Sequence, residues 1–231
     1  MISIILPTYN EVDNVKVIIP LLNKLFVEQA IQGEIIIVDD NSPDGTAVEA
    51  EKFAKEYPVV VCVRKSEKGL SKSVIKGFEL ARCDICVVMD SDLSHPVEKI
   101  PAMIKPIIED KFDAVIGSRY LEGGGWERFS LLREIVSRAA GFLAKGITTL
   151  SDPTSGFMAI RKSIINGVKL DPLGWKIVLE VAVKANPRIH EIPIMFGERS
   201  EGESKLDLRA QCDYLRHLFR LYCYKYLRFI P

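Results

Sequence analysis

The chain has 231 residues, enough for one substantial core, and its 48% hydrophobic and 27% charged residues exclude a disordered or fibrous protein. Lys plus Arg and Asp plus Glu both total 31, so no global charge favours nucleic acid and any electrostatic argument must be local. Five scattered cysteines, at 62, 83, 86, 212 and 223, fit a reduced compartment better than a disulfide framework.

Cys83 and Cys86 form a C-x-x-C spacing, but no second Cys or His pair accompanies them, and they read as buried packing. No apolar stretch reaches the ~20 residues that span a bilayer. The opening Ile2-Ser3-Ile4-Ile5-Leu6 is strand-like and has no signal-peptide character. The expectation is a soluble or peripheral protein.

In chain order, apolar runs at 2–6, 34–39, 58–64, 84–89 and 113–118 read as strands, and segments near 13–29, 46–56, 71–82 and 97–110 as helices. This alternation implies right-handed crossovers and a mostly parallel sheet with helices on both faces, a Rossmann-like α/β architecture. Ligands of such sheets bind beyond the carboxyl ends of the strands. After residue 118 the rhythm changes. Gly123-Gly124-Gly125 precedes a helix from about 129 to 147, and a loop over 151–156 leads into a strand. A helix over 175–185, a strand over 188–197 and a final helix from about 207 complete the chain.

The polar clusters fall at strand ends. Pro7-Thr8-Tyr9-Asn10-Glu11 contains no glycine, which argues against a dinucleotide fingerprint or a P-loop. It suits a nucleobase, with Tyr9 as stacking face and Glu11 as acceptor, and equally a helix start capped by Asn10. Asp39, ending the second strand, is placed to accept ribose or base hydrogen bonds, while Ser42-Pro43-Asp44-Gly45 reads as a turn with Asp44 or Thr46 capping the next helix. Lys65-Ser66-Glu67-Lys68-Gly69 reads as a solvated turn. The fourth strand runs directly into Asp90-Ser91-Asp92. Two carboxylates so placed suit Mg²⁺ or Mn²⁺ carrying a nucleotide diphosphate; the tripeptide alone would equally be a polar strand exit. His95, before Pro96, reads as a loop residue and His190 as an outward strand residue, so neither is given a catalytic role. Asp152 is a reserve carboxylate that a turn before Pro153 explains as well.

Together with Gly117-Ser118-Arg119-Tyr120, Asp152-Pro153-Thr154-Ser155-Gly156-Phe157 and Arg199 followed by Gly202-Glu203-Ser204-Lys205, these loops resemble the inverting GT-A glycosyltransferases, specifically the dolichol-phosphate mannose synthases, from residue 2 to about 206. The resemblance implies a GT-A domain over 1–206, with a nucleotide-binding half (1–118) and an acceptor half (119–206). It implies GDP-mannose binding by Pro7, Tyr9, Glu11, Ile37, Asp39, Asp90, Ser91 and Asp92, with Asp90 and Asp92 on the metal. It puts Arg119, Arg199 and Lys205 near the donor diphosphate or sugar, and Arg133 and Ser137 on the phosphate of a dolichyl or other polyprenyl acceptor. Among these, Asp92, Arg119 and Arg133 are the expected catalytic residues. Ser91 stands where Ala is commoner, and Leu93 where some relatives supply a polar metal ligand. A location on the cytoplasmic face of a membrane and a membrane-embedded partner subunit are further expectations, and nucleic acid is not expected.

The chemistry is coherent in itself. A leaving diphosphate needs cations, which a metal on Asp90 and Asp92, together with Arg199 and Lys205, supplies. An acceptor that is already a phosphate anion needs no general base but needs guanidinium groups such as Arg119 and Arg133 to hold it. Other readings keep the residues and change the role: UDP-glucose or another nucleotide hexose as donor, a nucleotidyltransferase, or a silent nucleotide-sugar scaffold. From Leu206 onward apolar and aromatic residues mix with Arg209, Arg216, Arg220, Lys225 and Arg228 at helical spacing. That amphipathic segment, 207–231, suits an interfacial helix and equally a helix packed on the core, with Leu215, Leu218, Phe219 and Tyr222 expected to be shared with the core.

Overall fold

The computed structural model describes residues 1–66, 68–127, 131–174, 176–197 and 208–227, without the side chains of 131–133 and 208–210. The first apolar run forms β1 (Ile2–Thr8), buried at every position, as a strand covered on both faces must be. There follow α1 (Val12–Glu28), β2 (Gly33–Asp39), α2 (Thr46–Phe53), β3 (Val59–Val63), α3 (Leu70–Leu80) and β4 (Ile85–Val88). A 3₁₀ turn over Val97–Lys99 leads into α4 (Ile100–Ile108), and β5 (Ala114–Ser118) closes this half. Each element falls where the sequence pattern puts it, to within a few residues.

The second half comprises β6 (Gly125–Trp126), α5 (Leu131–Ala144), β7 (Met158–Arg161), α6 (Ile177–Lys184), β8 (Ile189–Pro193), β9 (Met195–Phe196) and α7 (Leu208–Tyr222), which continues as a π-helical turn over Cys223–Leu227. The main sheet has seven strands in the order β3-β2-β1-β4-β7-β5-β8. All its pairings are parallel except those of β7, which runs antiparallel between β4 and β5. The run 188–197, expected to be one strand, divides. At Ile194 the chain leaves the main sheet, its N–H on the Ser118 carbonyl and its carbonyl taken by Gly125 N–H, and β9 pairs with β6 in a separate ribbon.

Strand alternation sends Ile4, Leu6, Ile35, Ile37 and Val87 to one face against α1 and α4, and Ile5, Ile36, Val38, Cys86 and Val88 to the other against α3 and α6. Burial on that second face pushes the Cys86 thiol up to about 12, so it is packing and not reactive chemistry. A third cluster joins α7 to α5 and α6 through Tyr214, Leu218, Leu221, Ala144, Ile147 and Leu179. Tyr214, Leu218 and Leu221 recur at helical spacing and define the buried stripe. Leu215 and Phe219, expected to be shared with the core, lie one residue round the helix and are 52% and 70% exposed. Of the expected four, Leu218 is buried and Tyr222 partly so. No helix among the described residues is long and apolar enough to cross a membrane.

Candidate active site

The carboxyl ends of β1, β2, β4 and β5 meet the start of β7 and the start of α6, and that edge collects the polar clusters. After β1, Asn10 adopts φ 59° and is not the helix cap. The first turn of α1 is capped from the next loop: Thr46 Oγ1 accepts from Glu11 N–H at 2.9 Å and Asp44 accepts from Val12 N–H at 3.0 Å. Asp44 also accepts from Thr46 N–H, as the turn reading requires. Tyr9 is 40% exposed, with Lys68 Nζ 5.2 Å from its ring centroid. Pro7 and Ile37 are buried in the strands beneath.

Asp39 is fully buried, and its carboxylate takes Thr8 Oγ1 at 3.0 Å, Ser42 N–H at 2.8 Å and the Ser42 hydroxyl. Asp40 is structural, bonded to Arg64 Nη1 at 2.6 Å, Gly69 N–H at 2.6 Å and Ser73 Oγ at 2.8 Å.

After β4 the chain makes a tight loop. Ser94 donates its N–H, at 3.1 Å, and its hydroxyl to Asp92 Oδ1, and Leu93 sits at φ 64°. A left-handed non-glycine residue costs roughly 1–2 kcal/mol, so the bonds around it hold it there. Asp92 and Ser91 are buried, whereas the Asp90 side chain is 26% exposed. His95 lies in this loop, as the sequence suggests, and is buried there. Its ring stacks 5.0 Å from Phe157, stands edge-on to Phe196 at 5.3 Å, and its Nδ1 accepts from Asp90 N–H at 2.9 Å. At Gly156 a Cβ would lie 3.3 Å from His95 Cε1 and 3.6 Å from Asp90 Oδ2, so a side chain there would press on the His95 ring and only touch the carboxylate.

Among the described residues no group of three or more His, Cys, Asp or Glu forms a closed metal site. The hard oxygen donors of Asp90 and Asp92 do fit a Mg²⁺ or Mn²⁺ that completes its shell with water and phosphate.

After β5, Arg119 closes on Asp152 through Nε at 2.7 Å and Nη2 at 2.8 Å, and Nη2 also reaches Thr154 Oγ1 at 2.7 Å. The guanidinium is enclosed by Tyr120, Trp126 and Phe196, 5.5–5.8 Å from their ring centroids. Burial would push the Asp152 carboxyl up, but the bonds and charge of Arg119 hold it below the usual carboxylate range. Ser137 Oγ lies 3.2 Å from Thr154 Oγ1, which brings α5 to the same cluster. The Arg133 side chain, Arg199 and Lys205 lie outside the described residues.

Sequence reasoning missed Lys176, which no motif marks. Standing at the N-terminus of α6, it donates to the Thr154 carbonyl at 3.2 Å. Burial, reinforced by the charge of Arg119 and opposed by Asp152 and Asp90, pushes its ammonium down to about 8. The Arg119–Asp152 pair was equally hidden, because 33 residues separate its members.

These geometries gather carboxylates, cations and hydroxyls at the carboxyl edge of an α/β GT-A fold. Residues 3–168 match the model of glycosyl transferase family 2, and the chain belongs to that family. It is therefore a glycosyltransferase. Proteins named dolichol-phosphate mannosyltransferase are similar to it: one from Pyrococcus furiosus at 43% identity over 95% of this chain and 63% of its own length, and one from Saccharomyces cerevisiae at 38% over 97% and 88%. A third, from Mycosarcoma maydis, is 37% identical over 97% of this chain and 80% of its own. The chain thus spans less than two thirds of the archaeal relative. Two structures of glucosyl-3-phosphoglycerate synthase from Mycobacterium tuberculosis, each matched over 97% of this chain and 79% of theirs, give TM-scores of 0.69 at 18% identity and 0.70 at 17%. The first is in complex with phosphoglyceric acid, the second with Mn²⁺, uridine diphosphate and glucosyl-3-phosphoglycerate. At that identity the likeness establishes the fold.

Proposed function

We propose that the chain transfers mannose from GDP-mannose to dolichyl or another polyprenyl phosphate, with inversion and with Mg²⁺ or Mn²⁺, on the cytoplasmic face of a membrane. The observation that carries this reading is the meeting of the Asp90/Asp92 pair with a cationic, hydroxyl-bearing cluster, Arg119, Lys176, Ser137 and Thr154, at the carboxyl edge of the sheet. Residues 1–118 form the nucleotide-binding half and 119–206 the acceptor half, whose basic side chains also reach the donor diphosphate. The names of the relatives at 37–43% identity support the mannosyl donor and the lipid acceptor.

Tyr9 offers its ring to the base, Glu11 and Asp39 accept from base or ribose, and Pro7, Ile37 and Ser91 shape the floor. Asp90 and Asp92 would hold the divalent ion, whose charge neutralises the diphosphate as it leaves. Lys176, Arg199 and Lys205 share that role with side-chain cations. Arg119, Arg133 and Ser137 hold the acceptor phosphate, an anion that attacks without a general base. Asp152, the reserve carboxylate, is spent on Arg119, which disfavours a covalent glycosyl intermediate and so favours single displacement with inversion.

Membrane contact is assigned to the outer face of α7, where Leu215 and Phe219 are exposed, and to the neighbouring face of α5, where Ile135 and Phe142 are 62% and 69% exposed. Arg138, Lys145 and Arg216 stand among them, and each basic residue near an anionic surface is worth ~1 kcal/mol. A membrane-embedded partner subunit would act at the same face.

The test is product analysis with radiolabelled GDP-mannose, UDP-glucose and UDP-galactose, dolichyl phosphate and Mn²⁺. The expected outcome is a mannosyl lipid and GDP, lost with EDTA and in Asp92→Asn. Turnover of UDP-glucose alone would change the donor, and transfer insensitive to EDTA would remove the metal.

A further inference from the structure

The Asp90 backbone stands just past the sheet ladder, whose last bond to β1 runs from Met89 N–H to the Ile5 carbonyl at 3.3 Å. Its own N–H is taken by a side chain, His95 Nδ1, at 2.9 Å. A backbone N–H can only donate, so Nδ1 is the acceptor of this bond. Phe157 and Phe196 fix the plane of that ring, and both belong to segments that reach the site from the other half of the chain.

We propose that His95 is the positioning residue of the carboxylate pair: by holding Asp90 N–H it sets the direction in which the Asp90 carboxylate leaves β4 and meets a divalent cation. The inference rests on the reading that Asp90 and Asp92 hold that cation. The loop shows why one imidazole suffices. Ser94 ties Asp92 from within the loop, Leu93 turns through φ 64°, and His95 closes the segment back onto its first residue. Asp90 Oδ2 lies 4.0 Å from Nδ1, which takes the backbone N–H, so the ring acts on the direction of the carboxylate through the backbone. Groups that orient a metal's ligands without touching the metal are worth roughly 10- to 100-fold in metal affinity.

Two substitutions separate positioning from packing. His95→Asn keeps an acceptor, Oδ1, at the place of Nδ1 but loses the stack on Phe157; His95→Phe keeps the stack and loses the acceptor. Mn²⁺ binding in the presence of GDP, followed by loss of the free-ion EPR signal, is expected to weaken roughly 10- to 100-fold in His95→Phe and to stay within about threefold of wild type in His95→Asn. Thermal midpoints are expected in the reverse order, with His95→Asn the less stable. Mn²⁺ affinities that follow the melting order, or wild-type affinity in His95→Phe, would overturn the proposal. A wild-type protein that takes up no Mn²⁺ with GDP would remove the metal reading, and this inference with it.

Discussion

Arg119 and Asp152 face each other through two nearly equal bonds, 2.7 and 2.8 Å, with the Arg119 side chain 10% and the Asp152 side chain 0% exposed. Burial makes the pair interdependent, since neither charge has water to fall back on. Asp152→Asn leaves a buried guanidinium uncompensated and is expected to lower stability by about 3–5 kcal/mol in urea titration. Replacing both, as Arg119→Met with Asp152→Leu, should restore most of that stability while transfer stays lost.

Lys176 gives a pH signature. Its folded pKa, about 8, lies below the ordinary 10.5, so the folded protein holds this proton less tightly than the unfolded chain does. The cost of the buried charge is fully present below pH 8 and is relieved as pH rises from about 8 towards 10.5, so this group's contribution to stability grows across that window. Lys176→Met is expected to raise stability at pH 7 by up to about 3 kcal/mol and to flatten that slope in melts taken from pH 7 to 10. Its turnover should be lower than wild type and without the alkaline limb near pH 8.

Ser137 separates acceptor from donor. A hydrogen bond to a phosphate is worth about 1.5–3 kcal/mol, so Ser137→Ala should raise the KM for the polyprenyl phosphate by roughly ten- to a hundredfold. GDP-mannose affinity in calorimetry should stay within about twofold, because Ser137 bonds across to Thr154 and not to the β1 or β2 loops. Equal loss on both substrates would move Ser137 to the donor.

The two faces of α7 predict different failures. Deleting 213–231 removes Leu218 and Leu221 from the third cluster, together with Arg220, which bonds Asp171 at 2.9 Å, and the truncated protein is expected to unfold or aggregate. Leu215→Ser with Phe219→Ser should leave the thermal midpoint within a few degrees and abolish co-sedimentation with anionic vesicles. Unchanged vesicle binding in the double variant would place the lipid contact on another surface.

The parallel half was legible because its strands are buried on both faces and read as unbroken apolar runs such as Ile35-Ile36-Ile37-Val38. The Asp90-Ser91-Asp92 exit was legible for the same reason, since a strand end fixes where the following loop goes. The rest depended on contacts distant in sequence. His95 beside Pro96 looks like any loop histidine, and only Phe157 and Phe196 make it a core residue. Lys176 stands among ordinary helix-start residues and gains its character from Arg119, Asp152 and Asp90. The exposed Leu215 and Phe219 turned on a phase of one residue, which an amphipathic pattern with aromatics on several sides does not settle.

The antiparallel β7 has a bearing on how the chain is made. β4 and β5 are 25 residues apart and have no edge in common until residues 158–161 slide between them. A nascent chain that has emerged only through β5 therefore carries two apolar strands whose flanking N–H and C=O groups await a segment still in the ribosome, the kind of unpaired edge on which chains aggregate. The strand that fills the gap also follows Gly156 and Phe157 beneath Asp90 and His95, so joining β4 to β5 brings those residues to the carboxyl edge, and β8 is added to the free side of β5 only afterwards.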